Sequence, residues 1–155
     1  MTTSAPASHS PLLDTRRPAT TLVQSWLRLW NGDLTLAAEI VAPDFRLHAA
    51  MMDGGDGAAV DSPQALVGWI DSTRAAVPDL AFSIEVGPIV DGPSIAVRWR
   101  ARGSYAGGVP GAQAPGGTLV DFTGTDVLRT EDGRIAEYWV NSDTLLLLTQ
   151  LQVRA

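Results

Sequence analysis

The chain has 155 residues, of which 45% are hydrophobic and 18% charged, and this composition predicts one globular domain with a single core. Because the sequence has no cysteine, it excludes a disulfide framework, a thiolate zinc site and a cysteine nucleophile. The net charge of −6, without any cluster of Lys or Arg, argues against nucleic acid as a partner.

Residues 1–18 are rich in Ser, Thr, Ala and Pro, and they lack the apolar stretch of a secretory signal. We predict that they form a disordered tail, followed by a single domain over 19–155. No segment of the sequence has the length and hydropathy of a membrane span, so we expect a cytoplasmic protein without a membrane partner.

Three helices are predicted in the first half of the chain, where apolar residues recur at helical spacing. Their boundaries carry typical residues: Asn31-Gly32 ends the first helix, Asp33 caps the second and Ser62 caps the third. Pro43 stops the second helix, and a proline occupies the first position of the third. The predicted helices cover 19–31, 34–41 and a stretch from 63 to a point before Pro78.

Strands joined by tight turns are predicted in the second half of the chain. The sequences Asp91-Gly92-Pro93 and Asp132-Gly133 are typical of hairpin turns, and a Gly- and Pro-rich loop over 107–117 is interpreted as a mobile lid or rim. Helices followed by strands indicate an α+β fold, a curved antiparallel sheet wrapped around about three helices as a cone that encloses a pocket. The predicted strands cover 45–50, 80–86, 94–105, 118–129 and 134–141, and a short apolar helix follows Asp143.

Four sequence motifs, spread from about Thr20 to Leu151, resemble those of the SnoaL-like polyketide cyclases, within the nuclear-transport-factor-2-like superfamily. The longest motif is the most specific, and the other three are shared across the superfamily. The motifs are Trp30-Asn31-Gly32-Asp33, Ala42-Pro43-Asp44-Phe45, Arg102-Gly103-Ser104-Tyr105 and the pattern Gly124-x-Asp126-x-x-Arg129-x-x-Asp132-Gly133-Arg134-Ile135-x-Glu137-x-Trp139-x-x-x-Asp143, which Thr149-Gln150-Leu151 follows.

This resemblance implies a small bacterial protein of secondary metabolism, often a homodimer, whose cone holds a hydrophobic, oxygenated small molecule. Members of the family catalyse acid–base reactions without a metal or an organic cofactor. These reactions are aldol cyclisation, isomerisation, epoxide opening and, in some relatives, hydroxylation. The fold alone does not choose among them.

The sequence departs from the family pattern at one position that matters for the chemistry. In the aldol cyclases and the limonene-epoxide hydrolases, the acid–base aspartate stands two residues after the position of Tyr138, and this chain has Val140 there. The histidine that accompanies it in the cyclases aligns with Asp126. Because a valine cannot transfer a proton, either the carboxylate has moved to the neighbouring strand or the chemistry differs.

Asp126 is the first catalytic candidate. On a strand with a period of two residues it faces the same side as Phe122 and Leu128. If that side is the cavity, burial raises the pKa of the carboxyl and suits it to general acid or base catalysis. The alternative is an aspartate on the solvent side that pairs with an arginine.

His48 and Tyr138 are the other two catalytic candidates. The resemblance places His48 where the epoxide hydrolases have a water-binding amide, with Arg46 at their neighbouring tyrosine position. His48 would act as a base or orient a water, or else lie in the core or at the rim with a backbone carbonyl as partner. Tyr138, on one strand face with Val140, would donate to an enolate oxygen, or else pack as an aromatic with its hydroxyl at the rim.

Aromatic and polar residues around these candidates are expected to contact the substrate. Trp99 alternates with Val97 and Ala101 and would wall the pocket, whereas tryptophans on apolar helical faces are more often part of a core. N-capping of the last helix explains Asp143 without a binding role. The predicted substrate-binding set is Trp99, Phe122, Val140, Arg46, Trp30, Trp69, Asn141 and Asp143. No metal site and no cofactor are predicted.

Three functions remain open from the sequence. The first is a cyclase or isomerase in which Asp126 and His48 are the acid–base pair and Tyr138 polarises a carbonyl. The second is hydrolysis or hydration, with a water held by His48. The third is a non-catalytic binding protein for a hydrophobic small molecule, which Val140 would explain.

Overall fold

The computed structural model describes residues 17–154 of the chain, so all but Arg17 and Pro18 of the predicted disordered tail lies outside the described residues. Within this range the chain forms four α-helices, one 3-10 helix and five strands. In chain order they are α1 (Ala19–Trp30), the 3-10 helix (Leu34–Leu36), α2 (Ala37–Ile40), β1 (Val41–His48), α3 (Pro63–Ala76), β2 (Ala81–Asp91), β3 (Ser94–Ser104), β4 (Leu119–Glu131), β5 (Arg134–Ser142) and α4 (Thr144–Gln150).

The five strands form one sheet in the order β1-β5-β4-β3-β2. Strands β2 to β5 pair antiparallel with their chain neighbours, as predicted. Strand β1 pairs parallel with β5, so the sheet is mixed and the prediction of a wholly antiparallel sheet is wrong in this one pairing. Parallel neighbouring strands are joined by a long crossover instead of a tight turn, so no turn sequence indicates that they pair. The α+β fold, with helices against one face of an open curved sheet, is confirmed.

Strand β1 begins four residues earlier than predicted, and the helix before it ends one residue earlier. The predicted helix over 34–41 is a 3-10 helix followed by α2, which ends at Ile40. The chain is already extended at Val41, a fully buried β-branched residue that suits a strand. The residue before Pro43 is also driven to the extended region, so the proline ends the helix earlier than expected.

The hairpin turn and the cap of α3 follow the predicted chemistry, whereas the Asp33 side chain makes no capping hydrogen bond, so the cap predicted there is wrong. Asp132 and Gly133 both adopt positive φ angles, 50° and 73°, as a type I′ hairpin turn requires. The Ser62 hydroxyl accepts from the backbone N–H of Ala65 at 3.2 Å, and this hydrogen bond caps α3. Local sequence therefore sets these element boundaries without help from the rest of the fold.

The loop between β3 and β4 packs against the C-terminal end of the chain. Backbone N–H groups of Gln113 and Ala114 both donate to the carbonyl of Leu151 at 3.1 Å. The Tyr105 hydroxyl accepts from the backbone N–H of Val109 at 3.1 Å. These contacts close a small second core, distinct from the main core between the helices and the sheet. Among residues 17–154, no helix has both the length and the apolar character needed to cross a membrane.

Candidate active site

A cavity of about 220 Å³ lies between α1, α3 and the concave face of the sheet. Its wall is mostly apolar, and a few polar side chains interrupt it. The aromatic lining residues are Trp30, Trp69, Phe82, Trp99, Phe122 and Tyr138, and the polar ones are Thr73, Asp126, Asn141, Ser142 and Thr144. Such a lining suits a hydrophobic ligand that carries a small number of polar groups.

Asp126 lies in the wall of this cavity and is 3% exposed. In the part of the chain that the structure describes, it is the one charged residue that is buried. Burial alternates along β4, with Phe122, Asp126 and Leu128 on the inner face, so the orientation predicted from the sequence is confirmed. The alternative of a solvent-facing aspartate paired with an arginine is wrong.

Three neutral donors hold the Asp126 carboxyl group. The indole N–H of Trp99 and the hydroxyl of Tyr138 donate to Oδ1, at 2.7 and 2.9 Å. The indole N–H of Trp26 donates to Oδ2 at 2.9 Å. A carboxylate has about four acceptor positions, so Oδ2 keeps one of them for another donor. The geometry leaves Oδ2 as the oxygen that can meet a ligand.

Burial raises the pKa of Asp126 to about 6, because the ionised form loses its hydration. The hydrogen bonds from Trp26, Trp99 and Tyr138 act in the opposite direction, and they limit the rise. A group with this pKa is mostly ionised at neutral pH and can still take up a proton at little cost. Asp126 therefore has the properties of a general base that works near neutral pH.

Tyr138 lies in the cavity wall as predicted, but its hydroxyl has a different partner. Its side chain is 2% exposed, and its O–H donates to Asp126. Burial, followed by the charge and the hydrogen bond of Asp126, holds the pKa of Tyr138 well above its usual value. The hydroxyl stays protonated and engaged, so the prediction that it polarises a substrate carbonyl does not match this geometry.

Trp26 is the residue that sequence reasoning missed. Its helical spacing assigned it to the core, and it is indeed 2% exposed. Its ring also packs edge-on against Tyr138, with 4.9 Å between the ring centroids, and its N–H reaches Asp126. A signal was available, since a buried indole N–H needs an acceptor and Asp126 was predicted to be buried on a strand.

His48 and Arg46 do not belong to this cavity. On β1 the inner positions are Phe45 and Leu47, and both predicted site residues lie on the exposed outer face. The His48 ring stacks on Trp139 at 4.9 Å, and its Nε2 lies 2.7 Å from an oxygen of Glu137. The predicted pairing of His48 with Asp126 is wrong, and so is the cavity position of Arg46. Strand alternation explains both errors.

Three more candidates come from the end of β5. Val140 lines the cavity directly opposite Asp126 in the β4–β5 register, and Asn141 lines it as well. Asp143 does not line the cavity. Its carboxylate accepts from the backbone N–H of Leu146 at 3.2 Å and caps α4. The capping role weighed for Asp143 is confirmed, and its place in the binding set is corrected.

Met51 and Met52 line the cavity in a segment that the sequence suggested only as a loop. The loop over 107–117, predicted as a lid, contributes nothing to the lining because it packs on the second core. Of the described residues, no three His, Cys, Asp or Glu side chains are grouped closely enough to hold a metal ion.

Comparison with known proteins supports this fold. A family described as SnoaL-like polyketide cyclase matches residues 20–151. Among curated proteins, none matches the sequence. IdmH of Streptomyces antibioticus, a candidate polyketide cyclase, is similar in structure with a TM-score of 0.74 and 27% identity, over 88% of this chain and 100% of its own.

Two further solved structures are similar at lower identity. A candidate polyketide cyclase of Acidithiobacillus ferrooxidans gives a TM-score of 0.75 at 21% identity, over 94% of this chain and 100% of its own. AclR of Streptomyces galilaeus, a candidate hydroxylase, gives 0.72 at 21% identity, over 88% of this chain and 85% of its own. At these identities the likeness extends to the fold alone.

Proposed function

Because the chain belongs to the SnoaL-like polyketide cyclase family, we propose that it is a cofactor-independent acid–base enzyme that cyclises or isomerises a hydrophobic, oxygenated small molecule. The observation that carries the proposal is the position of Asp126, a carboxyl with a pKa of about 6 in the wall of an apolar cavity. Carboxyl groups with raised pKa values in clefts are typical of general acid–base catalysts.

The proposed reaction begins with Asp126 in its ionised form. The carboxylate removes a proton from a carbon next to a carbonyl group, and the electron pair of the C–H bond forms an enolate. In a cyclisation the enolate carbon attacks a second carbonyl carbon of the same molecule, whose oxygen then takes a proton. In an isomerisation Asp126 returns the proton to a different carbon. Both reactions need one group that accepts and returns a proton, and no external reactant.

The surroundings of Asp126 support this role. Trp26, Trp99 and Tyr138 fix the carboxyl group in one orientation, so that it needs no reorganisation during the reaction. Neutral donors stabilise the carboxylate less than a cation would, so the group keeps its basicity. The aromatic lining favours a flat apolar substrate.

The two other functions considered from the sequence have less support. Water addition relied on His48, whose ring lies on the outer face of the sheet with Glu137 and Trp139. A binding protein would be favoured by a wholly apolar lining, and Asp126 interrupts the lining here. The experiment below separates a binding protein from an enzyme, because only an enzyme exchanges protons with its ligand.

We predict that Asp126→Asn abolishes proton exchange while the fold is kept. 2-Tetralone is a suitable probe, because it is apolar and bicyclic and has acidic protons next to its carbonyl. Exchange of these protons in deuterated water is followed by NMR. The wild-type protein should accelerate the exchange, and Asp126→Asn should reduce the acceleration by at least about a hundredfold.

Asp121→Asn is the matched control for this experiment. Asp121 lies on the same strand with its carboxylate outside the cavity, where it pairs with Arg100 at 2.6 Å. This variant should keep the exchange rate of the wild type. Equal, accelerated rates in Asp126→Asn and the wild type would remove Asp126 from catalysis, and exchange at the uncatalysed rate with the wild type would favour the binding protein. Circular dichroism of both variants checks that each is folded.

A further inference from the structure

The indole N–H of Trp30 is buried without a hydrogen-bond partner. Trp30 is the last residue of α1, is 7% exposed and lines the cavity. Its Nε1 finds no acceptor anywhere in residues 17–154. A buried donor that gives up water without gaining an acceptor is costly, so such groups are rare in folded proteins. The N–H of Trp30 therefore lacks an acceptor among the described residues, and a bound ligand could provide one.

Two other buried tryptophans, one in the core and one in the cavity wall, show the contrast. The indole N–H groups of Trp26 and Trp99 both donate to Asp126. The ring of Trp30 lies beside this cluster, with its centroid 6.2 Å from that of Trp26 and 6.4 Å from that of Tyr138. Two groups in the cavity wall thus have hydrogen-bonding capacity left. The indole N–H of Trp30 lacks an acceptor, and Oδ2 of Asp126 can accept from one more donor.

We propose that the Nε1–H of Trp30 binds the carbonyl oxygen of the substrate, the role that the sequence suggested for Tyr138. The inference rests on the proposed function, in which Asp126 takes the proton from the neighbouring carbon. As the C–H bond breaks, its electron pair moves into the enolate and negative charge grows on the oxygen held by Trp30. A donor at that oxygen stabilises the enolate more than the ketone, and this difference lowers the barrier.

The substrate that fits both groups is a ketone with an acidic neighbouring C–H on a flat apolar skeleton. The carbonyl oxygen meets the indole N–H, and the acidic hydrogen meets Oδ2 of Asp126. A pure hydrocarbon satisfies neither group, and an alcohol offers no acidic C–H. Trp30 and Asp126 together therefore select ketones among the apolar molecules that the cavity can hold.

The indole signals in a two-dimensional proton–nitrogen NMR spectrum test this directly. The chain has five tryptophans, so five signals are expected, and single Trp→Phe variants assign them. We expect saturating 2-tetralone to move the Trp30 proton signal downfield, as a new hydrogen bond does. Tetralin, the same ring system without the oxygen, should leave that signal without a downfield shift.

A variant gives a second, independent measurement. Trp30→Phe should weaken binding of 2-tetralone about fivefold, the size expected for one neutral hydrogen bond, and leave binding of tetralin nearly unchanged. Trp139→Phe is the matched control, because Trp139 stacks on His48 at the outer face of the sheet. It should change neither affinity.

The outcomes separate this inference from the proposed function. A Trp30 signal that stays in place at the solubility limit of 2-tetralone, or moves equally with tetralin, overturns the inference. If the signal stays in place while wild-type protein exchanges the protons of 2-tetralone, Asp126 keeps its role and Trp30 loses its own. If the signal moves and no exchange occurs, Trp30 binds the oxygen and Asp126 is not the base. Should Trp30→Phe fail to fold, the wild-type spectra decide.

Discussion

Asp126 is the residue at which stability and chemistry conflict. Its ionised form is the one that the proposed reaction needs, and burial makes that form costly. Trp26, Trp99 and Tyr138 offset part of this cost with hydrogen bonds. An arginine partner would offset more and would also lower the pKa, as it does elsewhere in this protein. Hydrogen bonds from Arg100 and Arg102 hold the pKa of Asp121 at about 2.

We predict that Asp126 makes the protein less stable as the pH rises through the range from about 4 to 6. The folded-state pKa of about 6 lies above the ordinary value of 3.8, so within this range the folded chain binds a proton that the unfolded chain has lost. Stability therefore falls as the pH rises, by about 3 kcal/mol in total once both states are ionised. Urea unfolding between pH 4 and 7 measures this.

The stability of Asp126→Asn should not show this fall with rising pH, because the amide does not ionise. Asp121→Asn serves as the comparison: the pKa of Asp121 is about 2 in the folded chain against an ordinary value of 3.8, so Asp121 adds stability as the pH rises and its contribution is nearly constant above about pH 5. Its loss should therefore leave the slope between about pH 5 and 7 unchanged. A wild-type protein whose stability is flat from pH 4 to 7, relative to Asp126→Asn, would contradict the raised pKa of Asp126.

At the scale of the elements, strands β3 and β4 position the indole of Trp99. Trp99 faces Gly124 in the register of the two strands, and the glycine leaves room for the ring to cross β4. A Cβ atom added at Gly124 would overlap a carbon of that ring. The same indole donates to Asp126, two residues further along β4. The site therefore depends on the absence of a side chain at Gly124.

Gly124→Ala is expected to destabilise the protein by about 1–3 kcal/mol, the cost of overpacking a buried contact. The displaced Trp99 should also lose its hydrogen bond to Asp126 and with it part of the exchange activity. Gly68→Ala is the matched control, since no atom lies within 4 Å of a Cβ added there in α3. It should stabilise the helix by up to about 1 kcal/mol. Equal stabilities of the two variants in urea unfolding would contradict the tight contact at Gly124.

Elements with local signals were predictable, and those that depend on distant partners were not. Ser62, Asp143 and Asp132-Gly133 act within a few residues of their own positions, and each cap or turn was predicted from the sequence. The parallel partner of β1 lies some ninety residues away along the chain, as the pair His48 and Trp139 illustrates. The periodicity of apolar residues indicates which face of a strand is buried, but it does not indicate which strand lies beside it.

At the scale of the whole molecule, the difference between local signals and distant partners also explains which site residues could be predicted from the sequence. Asp126 was predictable because its strand face is set by its own neighbours along β4. His48 was misplaced because a family resemblance outweighed the alternation of β1, which puts it outside. The hydrogen bond from Trp26 and the unpaired N–H of Trp30 arise only when α1 meets the sheet, and the sequence alone does not supply that contact.

The homodimer implied by the resemblance is our proposal for the assembled molecule. The outer face of the sheet carries Val127 and Trp139, each 36% exposed, in line with a surface that a second copy covers. Light scattering on a size-exclusion column should give twice the mass of one chain, and Trp139→Lys should shift the protein towards the single-chain mass. A single-chain mass for the wild type at tens of micromolar would contradict the dimer.

The pairing of β1 with β5 also determines when the sheet and the site can be completed during synthesis. Synthesis proceeds from the N-terminus, so β1 leaves the ribosome long before the strand that will lie beside it. The hydrogen bond from Trp26 to Asp126 joins residues 100 positions apart, and closing so long a loop is slow. A chain interrupted before Arg134 lacks both the neighbour of β1 and the Tyr138 donor. Such a chain therefore carries an incomplete site, because Asp126 keeps two of its three donors and loses the third.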